Sequence, residues 1–216
     1  MRAEELLVER DHVLVAFDGP IAELPPTRSS ADRLRVLVAE GRLPRRVART
    51  DDPFVVLAHA ATIGPATGQA VYAQLCRIEH GVVAAARVAP GVHEALAVTA
   101  AAGARVTVVS SLDIAAVQAF LVLHGLVERV HHLVGRTGPD RAALPPAPDL
   151  ITLAIHTRAI PVESCLFVGG TDRDLTAARA AGVETIRHRP VSVPPAPGSA
   201  APPNPWFAAL SAPTKR

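Results

Sequence analysis

Several residue types are scarce in this sequence, and each scarcity excludes a class of protein. Cys76 and Cys165 are the only cysteines, too few for a disulfide framework and without metal-ligand spacing. No stretch approaches the roughly 20 uninterrupted apolar residues of a membrane helix, and the N-terminus has acids where a signal peptide is apolar. Lys215 is the only lysine, the formal net charge is +2 and the arginines are scattered, which argues against nucleic acid binding. We therefore expect a cytoplasmic protein with reduced thiols and neither a membrane nor a nucleic acid partner.

The residues that are abundant are small and aliphatic. Apolar residues make up 49% of the chain and aromatic residues only 3%, a composition that suits helices packed closely against a parallel sheet. The length of 216 residues allows one core domain with a small inserted one. Much Ala, Arg, Val and Pro with almost no lysine is typical of high-GC actinobacterial proteins.

Hydrophobic periodicity predicts strands that alternate with helices. Short runs of apolar and β-branched residues predict strands at 12–17, 105–109, 130–134, 165–168 and 184–187. Helical patterns lie between them. This alternation predicts an α/β fold in which a Rossmann-like parallel sheet is the middle of three layers.

One segment interrupts the alternation of strands and helices. Residues 29–88 carry helical periodicity and no convincing strand, which predicts an all-helical cap inserted into the α/β core. We expect residues 1–20 and 89–188 to form the core and residues 21–88 to form the cap.

The C-terminal segment differs in composition from the rest. Residues 189–216 are rich in proline and predict an extended strap. Trp206 and Phe207 begin a short apolar stretch, which predicts a helix that docks the strap on the core. A partner-binding surface around Trp206 is the alternative.

Polar side chains follow three of the predicted strands at their carboxyl ends. Asp18 follows the first strand, Ser110 and Ser111 follow the second, and Asp172 and Asp174 follow the fourth. Because ligands of open α/β sheets bind at this edge, these side chains predict a polar pocket beneath the cap. The alternative is structural: the serines cap the next helix, Asp174 binds loop amides and Asp18 shapes its turn.

Two adjacent histidines, His131 and His132, lie within the predicted strand 130–134. Successive side chains of a strand point to opposite faces of the sheet. We therefore expect these two imidazoles to face apart and not to form a paired ligand.

Three motifs stand in a fixed order along the chain. They are Ala-Phe-Asp-Gly-Pro at 16–20, Val-Val-Ser at 108–110, and a strand followed by Gly-Gly-Thr-Asp-Arg-Asp within 167–178. In order and spacing they resemble the first, second and fourth motifs of the haloacid dehalogenase superfamily, particularly its phosphatase-like hydrolases with a helical cap. The resemblance covers about residues 11–188. It implies an α/β core with a cap and a site at the carboxyl edge of the sheet.

At three positions the chain departs from what the resemblance implies. Ala16 stands where the family has the aspartate nucleophile that also ligates Mg²⁺, and a methyl group can neither attack nor coordinate. Pro145 stands where the family has a charge-neutralising lysine or arginine, with Arg141 slightly upstream as an alternative cation. Gly170 stands where the family has a carboxylate ligand of Mg²⁺. The family's acid–base aspartate is retained as Asp18.

The departures predict a degenerate site without Mg²⁺ or another cofactor, because nucleophile, cation and metal ligand serve one transition state. Halide displacement needs the same nucleophile and is excluded with it. The favoured hypothesis is a non-catalytic auxiliary or scaffold subunit that binds a partner protein, a second copy of itself or a small anionic ligand. A second hypothesis is a metal-independent enzyme of specialised metabolism, in which Asp18 is the general acid or base of an elimination or cyclisation. A third is a weak Mg²⁺-dependent phosphatase rebuilt around Asp172 and Asp174.

Overall fold

A parallel sheet forms the centre of the computed structural model, which describes residues 10–26, 29–39, 43–188 and 206. The sheet has five strands in the order β5-β4-β1-β6-β7, all parallel. Its strands are β1 (His12–Ala16), β4 (Arg105–Asp113), β5 (His132–Arg136), β6 (Cys165–Gly169) and β7 (Glu184–Arg187). The predicted parallel α/β sheet is confirmed.

Helices cover both faces of this sheet. On one face the apolar cluster combines alternate β1 residues such as Val13 and Val15 with helices α5 (Val92–Ala101) and α6 (Ile114–Leu123). On the other face the cluster combines Leu14 and Ala16 with helices α7 (Asp149–Thr157) and α8 (Asp172–Ala180). The side chains alternate between the two faces because the strand has a period of two. The α-helices of the described residues are α1 (Ser30–Arg35), α2 (Arg45–Ala48), α3 (Pro53–Ile63), α4 (Pro65–Ala84), α5 (Val92–Ala101), α6 (Ile114–Leu123), α7 (Asp149–Thr157) and α8 (Asp172–Ala180). The three-layer prediction is confirmed.

Helices α1 to α4 form a cap, which is inserted between β1 and β4 in the sequence. They share an apolar cluster of their own, which includes Leu34, Val56 and Leu75. Two-residue strands, β2 (Ala22–Glu23) and β3 (Arg87–Val88), pair antiparallel at the two ends of the cap. Hydrophobic periodicity does not predict β3, because two residues are too few to establish a period.

Two element boundaries differ from the prediction and change the site. The segment from Ser110 to Asp113 is not a capped turn: β4 continues through it, with an irregularity after Val109, and pairs Asp113 with Arg136. Strand β5 begins at His132 and not at residue 130, because Val130 closes a 3₁₀ turn at Val127–Arg129.

Trp206 is packed into the core. Its side chain is 1% exposed, and its indole N–H donates a hydrogen bond to the carbonyl oxygen of Pro20 at 3.1 Å. The alternative of a partner-binding surface around Trp206 is therefore wrong. The remainder of the predicted strap at 189–216 and its helix, including Phe207, lie outside the described residues.

Among the residues that the structure describes, none of the helices combines the length and the apolar character needed to cross a bilayer.

Candidate functional site

A cavity of about 600 Å³ lies between the carboxyl edge of the sheet and the cap. We call it the cap–core cavity. The core contributes mainly polar side chains, and the cap adds both apolar and acidic ones. The residues that line the cavity include Asp18, Ser111, Arg141, Pro145, Thr171, Arg173 and Asp174 from the core, and Asp52, Phe54 and Glu79 from the cap. The position of this cavity agrees with the predicted pocket beneath the cap.

Asp18 lies at this cavity on a tight loop after β1. Gly19 has a positive φ of 90°, and its N–H donates to the carbonyl oxygen of Ala22 at 2.9 Å, which turns the chain toward the cap. Although Asp18 is exposed at the cavity, the surrounding protein displaces water and raises the pKa of its carboxyl. The charge of Asp174 raises this pKa further, and the Gly19 N–H opposes the shift.

Asp174 serves the start of α8 as well as the cavity. Its carboxylate accepts hydrogen bonds from the Thr171 hydroxyl at 2.6 Å and the Thr171 N–H at 3.3 Å. The Asp174 N–H in turn donates to the Thr171 hydroxyl at 3.2 Å, which completes a capping box. The interpretation that Asp174 binds a loop amide is thus correct, and Asp174 still lines the cavity.

Asp172 differs from its predicted place. It is the first residue of α8, its side chain is 88% exposed, and it forms an ion pair with Arg187. It does not line the cap–core cavity. The first turn of α8 carries residues 172 and 174 on different sides, so the two carboxylates do not face one site.

The two serines at the end of β4 have separate roles. Ser110 is buried, and its hydroxyl accepts a hydrogen bond from the Leu112 N–H at 3.1 Å. Ser111 lines the cavity. Neither caps α6, because that helix begins at Ile114 with Asp113 as its N-cap residue. The helix-cap interpretation of Ser110 and Ser111 is wrong.

Ala16 is 5% exposed and lies beside a small depression that Ser110, Pro145 and Asp174 also line. Pro145 and Asp174 line the cap–core cavity as well, so the two spaces adjoin. Ala16 therefore presents a methyl group, and neither an acid nor a nucleophile, to this part of the site.

Gly170 packs closely on the loop that carries Asp18. A Cβ atom at position 170 would lie 2.8 Å from the carbonyl oxygen of Asp18, closer than such atoms approach without displacement. A side chain at position 170 therefore needs the Asp18 loop to move.

The residues of this site do not fit the Mg²⁺ ion that the family implies. Magnesium is held by carboxylate oxygens in octahedral geometry, whereas Ala16 offers a methyl group and position 170 has no room for a side chain. No cluster of three or more His, Cys, Asp or Glu suited to a metal exists among the described residues. The predicted absence of Mg²⁺ binding stays a prediction, which calorimetric titration of Mg²⁺ can test.

Arg141 supplies a cation next to Pro145. Its guanidinium donates to the carbonyl oxygen of Pro145 at 3.3 Å and lies 3.5 Å from the Asp52 carboxylate of the cap. It also lies over the ring of Phe54, 5.9 Å from the centroid. Arg141 therefore lies beside Pro145, and its side chain is partly exposed to the cavity.

A buried ion pair joins the cap to the core, and sequence reasoning did not find it. Arg136 of β5 is 2% exposed and pairs with Glu79 of α4, whose carboxylate also accepts from the Asp113 N–H at 3.0 Å. Burial raises the pKa of Glu79, and Arg136 opposes that shift. The Arg136 guanidinium also lies over Tyr72, 5.0 Å from the ring centroid. An arginine in the apolar run His-Leu-Val-Gly-Arg was the one available signal.

The fold is that of a capped α/β protein, and a comparison with models of protein families identifies its family. The family model of haloacid dehalogenase-like hydrolases matches residues 66–188, more than half of the chain. The chain belongs to this family. The comparison with curated proteins found no match.

Solved structures with the same fold include two from bacteria. CbbY from Rhodobacter sphaeroides in complex with phosphate has a TM-score of 0.60 and 20% identity, covering 82% of this chain and 85% of that one. A haloacid dehalogenase-superfamily hydrolase of subfamily IA from Geobacter sulfurreducens has a TM-score of 0.52 and 20% identity, covering 86% and 90%. CbbY has also been solved with xylulose-1,5-bisphosphate. At these identities the likeness establishes the fold alone.

Proposed function

We propose that this chain has lost the phosphatase and dehalogenase chemistry of its family and binds a small anionic ligand in the cap–core cavity without converting it. The observation that carries the proposal is Ala16, which is 5% exposed and offers a methyl group at the position where the family has its aspartate nucleophile. Without a carboxylate there, neither an aspartyl-phosphate nor a halide-derived ester can form. We therefore propose that the chain is an auxiliary subunit, which binds its ligand without turnover.

Two guanidinium groups of the cavity, those of Arg141 and Arg173, suit an anion, although carboxylates also line it. Among these acids, Glu79 is paired with Arg136 and Asp52 with Arg141, whereas Asp18, Asp51 and Asp174 form no ion pair within the described residues. The guanidinium of Arg141 keeps further donors, since arginine has five N–H groups. Arg173 and the hydroxyl of Ser111 line the same cavity. Phosphate-bearing ligands in the CbbY complexes belong to the same chemical class.

Arg141→Gln tests the proposed ligand site. Calorimetry with 4-nitrophenyl phosphate is expected to give saturable binding to the wild type and no phosphate release. The variant is expected to bind about tenfold more weakly, because a charge-assisted hydrogen bond is lost. Arg179→Gln is the matched control, since Arg179 is exposed on α8 away from the cavity. Equal affinity in wild type and Arg141→Gln would contradict the proposed site.

A second candidate function rests on the environment of Asp18. A carboxyl whose pKa is raised by burial and by Asp174 holds a proton more readily than an ordinary aspartate. Such a group at the edge of a cavity suits general acid–base catalysis of an elimination or cyclisation without a metal.

The pKa of Asp18 can be measured by a ¹³C NMR titration, with Asp18→Asn to assign the resonance. We expect a midpoint above the ordinary value of 3.8, and a lower midpoint in Asp174→Asn, which removes the repelling charge. A midpoint at or below 3.8 would remove the support for acid–base chemistry.

The same shift predicts a pH dependence of stability. Because the folded state disfavours the ionised Asp18, its charge lowers the free energy of unfolding above the folded pKa, and this effect disappears below the unfolded value of 3.8. Asp18→Asn is therefore expected to be slightly more stable than wild type at about pH 7 and indistinguishable at about pH 3.

A further inference from the structure

A second cavity, of about 460 Å³, lies at the amino edge of the sheet, opposite the cap–core cavity. We call it the amino-edge cavity. Its walls carry three imidazoles, two guanidinium groups and one hydroxyl, from His12, His131, His132, Arg105, Arg158 and Thr107. No carboxylate of the described residues lines it. None of the family motifs contributes to it.

The topology of the sheet brings these side chains together. Three neighbouring strands, β5, β4 and β1, begin at this edge. The register pairs His12 with Arg105 and His132 with Thr107. Arg158 follows the last residue of α7, where the helix returns to the beginning of the sheet. Residues far apart in the sequence thus converge on one cavity.

His131 and His132 both line the amino-edge cavity, which differs from the expectation that they face apart. The reason is that β5 begins at His132, so His131 precedes the strand and does not follow its alternation. The backbone carbonyl of His131 accepts a hydrogen bond from the Arg158 guanidinium at 3.4 Å, which places Arg158 beside His131.

Several donors in this cavity lack a negative partner. Arg105 forms no ion pair within the described part of the chain, and Arg158 approaches only the His131 carbonyl and, at 3.5 Å, the Nδ1 atom of His132. Thr107 is 3% exposed, and its hydroxyl has no hydrogen-bond partner within the described ranges. Both arginines are exposed to solvent, and their like charges beside one depression attract an anion.

We infer that the amino-edge cavity binds a small tetrahedral oxyanion, of the phosphate or sulfate class, between the guanidinium groups of Arg105 and Arg158 and the imidazoles of His12 and His132. Guanidinium groups suit such anions because their planar N–H pairs match two oxygens at once. The Thr107 hydroxyl supplies a neutral donor at the floor of the cavity. This site is independent of the ligand proposed for the cap–core cavity.

The imidazoles make this binding depend on pH. Burial lowers the pKa of His12, and Arg105 and His131 lower it further, while Asp11 opposes them from outside the cavity. Burial and Arg158 lower the pKa of His132. Both rings therefore take up a proton less readily than a free imidazole, and an anion binds their protonated forms more tightly. Affinity is expected to increase as the pH falls.

Sulfate is a suitable probe because its charge stays constant over the pH range in which histidine titrates. In calorimetry, affinity for sulfate is expected to increase at least about threefold from pH 7.5 to about pH 6, as histidines protonate. Inorganic phosphate is expected to compete with sulfate. Arg105→Gln with Arg158→Gln is expected to weaken binding about tenfold or more, since two charged donors are lost.

A surface variant is the control for this site. Arg179→Gln is expected to leave sulfate affinity unchanged, because Arg179 lines neither cavity. Histidine C–H resonances of the wild type provide a readout without substitution, and saturating sulfate is expected to shift those of His12, His131 and His132. No saturable shift, or equal binding by the Arg105→Gln/Arg158→Gln variant, would overturn the inference whatever the cap–core cavity binds.

Discussion

Replacing Arg136 by methionine is expected to lower the free energy of unfolding by about 3–5 kcal/mol, because it leaves a buried carboxylate without its partner. The Glu79 side chain is only 10% exposed and its remaining donor is the Asp113 N–H. Burial already raises the pKa of Glu79, so without the guanidinium the carboxyl either takes up a proton or draws in water. Urea unfolding followed by circular dichroism measures the loss.

A double variant distinguishes the lost pair from lost packing. Arg136→Met with Glu79→Leu removes both charges and keeps apolar contacts with Phe54 and Tyr72. It is expected to recover much of the stability, because apolar replacement of a buried pair is often close to neutral. If the double variant is no more stable than Arg136→Met, the ion pair is not the main link between α4 and β5.

Replacing Trp206 by alanine is expected to cost about 3–5 kcal/mol of unfolding free energy, as for other large buried side chains. Its indole is 1% exposed within the cluster that includes Phe17, and its N–H donates to the Pro20 carbonyl. Because Pro20 lies in the loop after Asp18, the substitution is also expected to loosen that loop. Urea unfolding gives the cost, and proton exchange of the Gly19 amide gives the loosening.

Trp206→Phe is the matched variant, since it keeps an aromatic ring and loses the hydrogen bond. We expect it to cost about 1 kcal/mol. Val122→Ala, at a side chain that is 59% exposed, is expected to change stability by less than about 0.5 kcal/mol. A Trp206→Ala variant as stable as wild type would mean that the burial of Trp206 does not stabilise the core.

The sheet could be predicted because its signal is local. Each buried strand is a short apolar run, and the Asp18, Ser111 and Asp174 positions follow from where those runs end. The end of β4 could not be predicted, because pairing with β5 and not the local sequence extends it to Asp113. Sequence spacing likewise placed Asp172 in the pocket, whereas the ion pair with Arg187 holds it outside.

The long-range contacts were not predictable for a related reason. Glu79 and Arg136 are separated by 57 residues, and no periodicity links a helix of the cap to a particular strand of the core. The amino-edge cavity depends on the register between β1, β4 and β5, which one sequence does not determine. By contrast, the alanine at position 16 is visible in the sequence, and the structure adds that its side chain is buried.

Calorimetric titration of Mg²⁺ into the purified chain, with 4-nitrophenyl phosphate present and phosphate release followed in the same samples, tests the central claim most directly. We predict no saturable Mg²⁺ binding and no phosphate release, because Ala16 and Gly170 offer no carboxylate to the metal or to phosphorus. Saturable Mg²⁺ binding together with phosphate release that a chelator abolishes would contradict the claim that the family's chemistry has been lost.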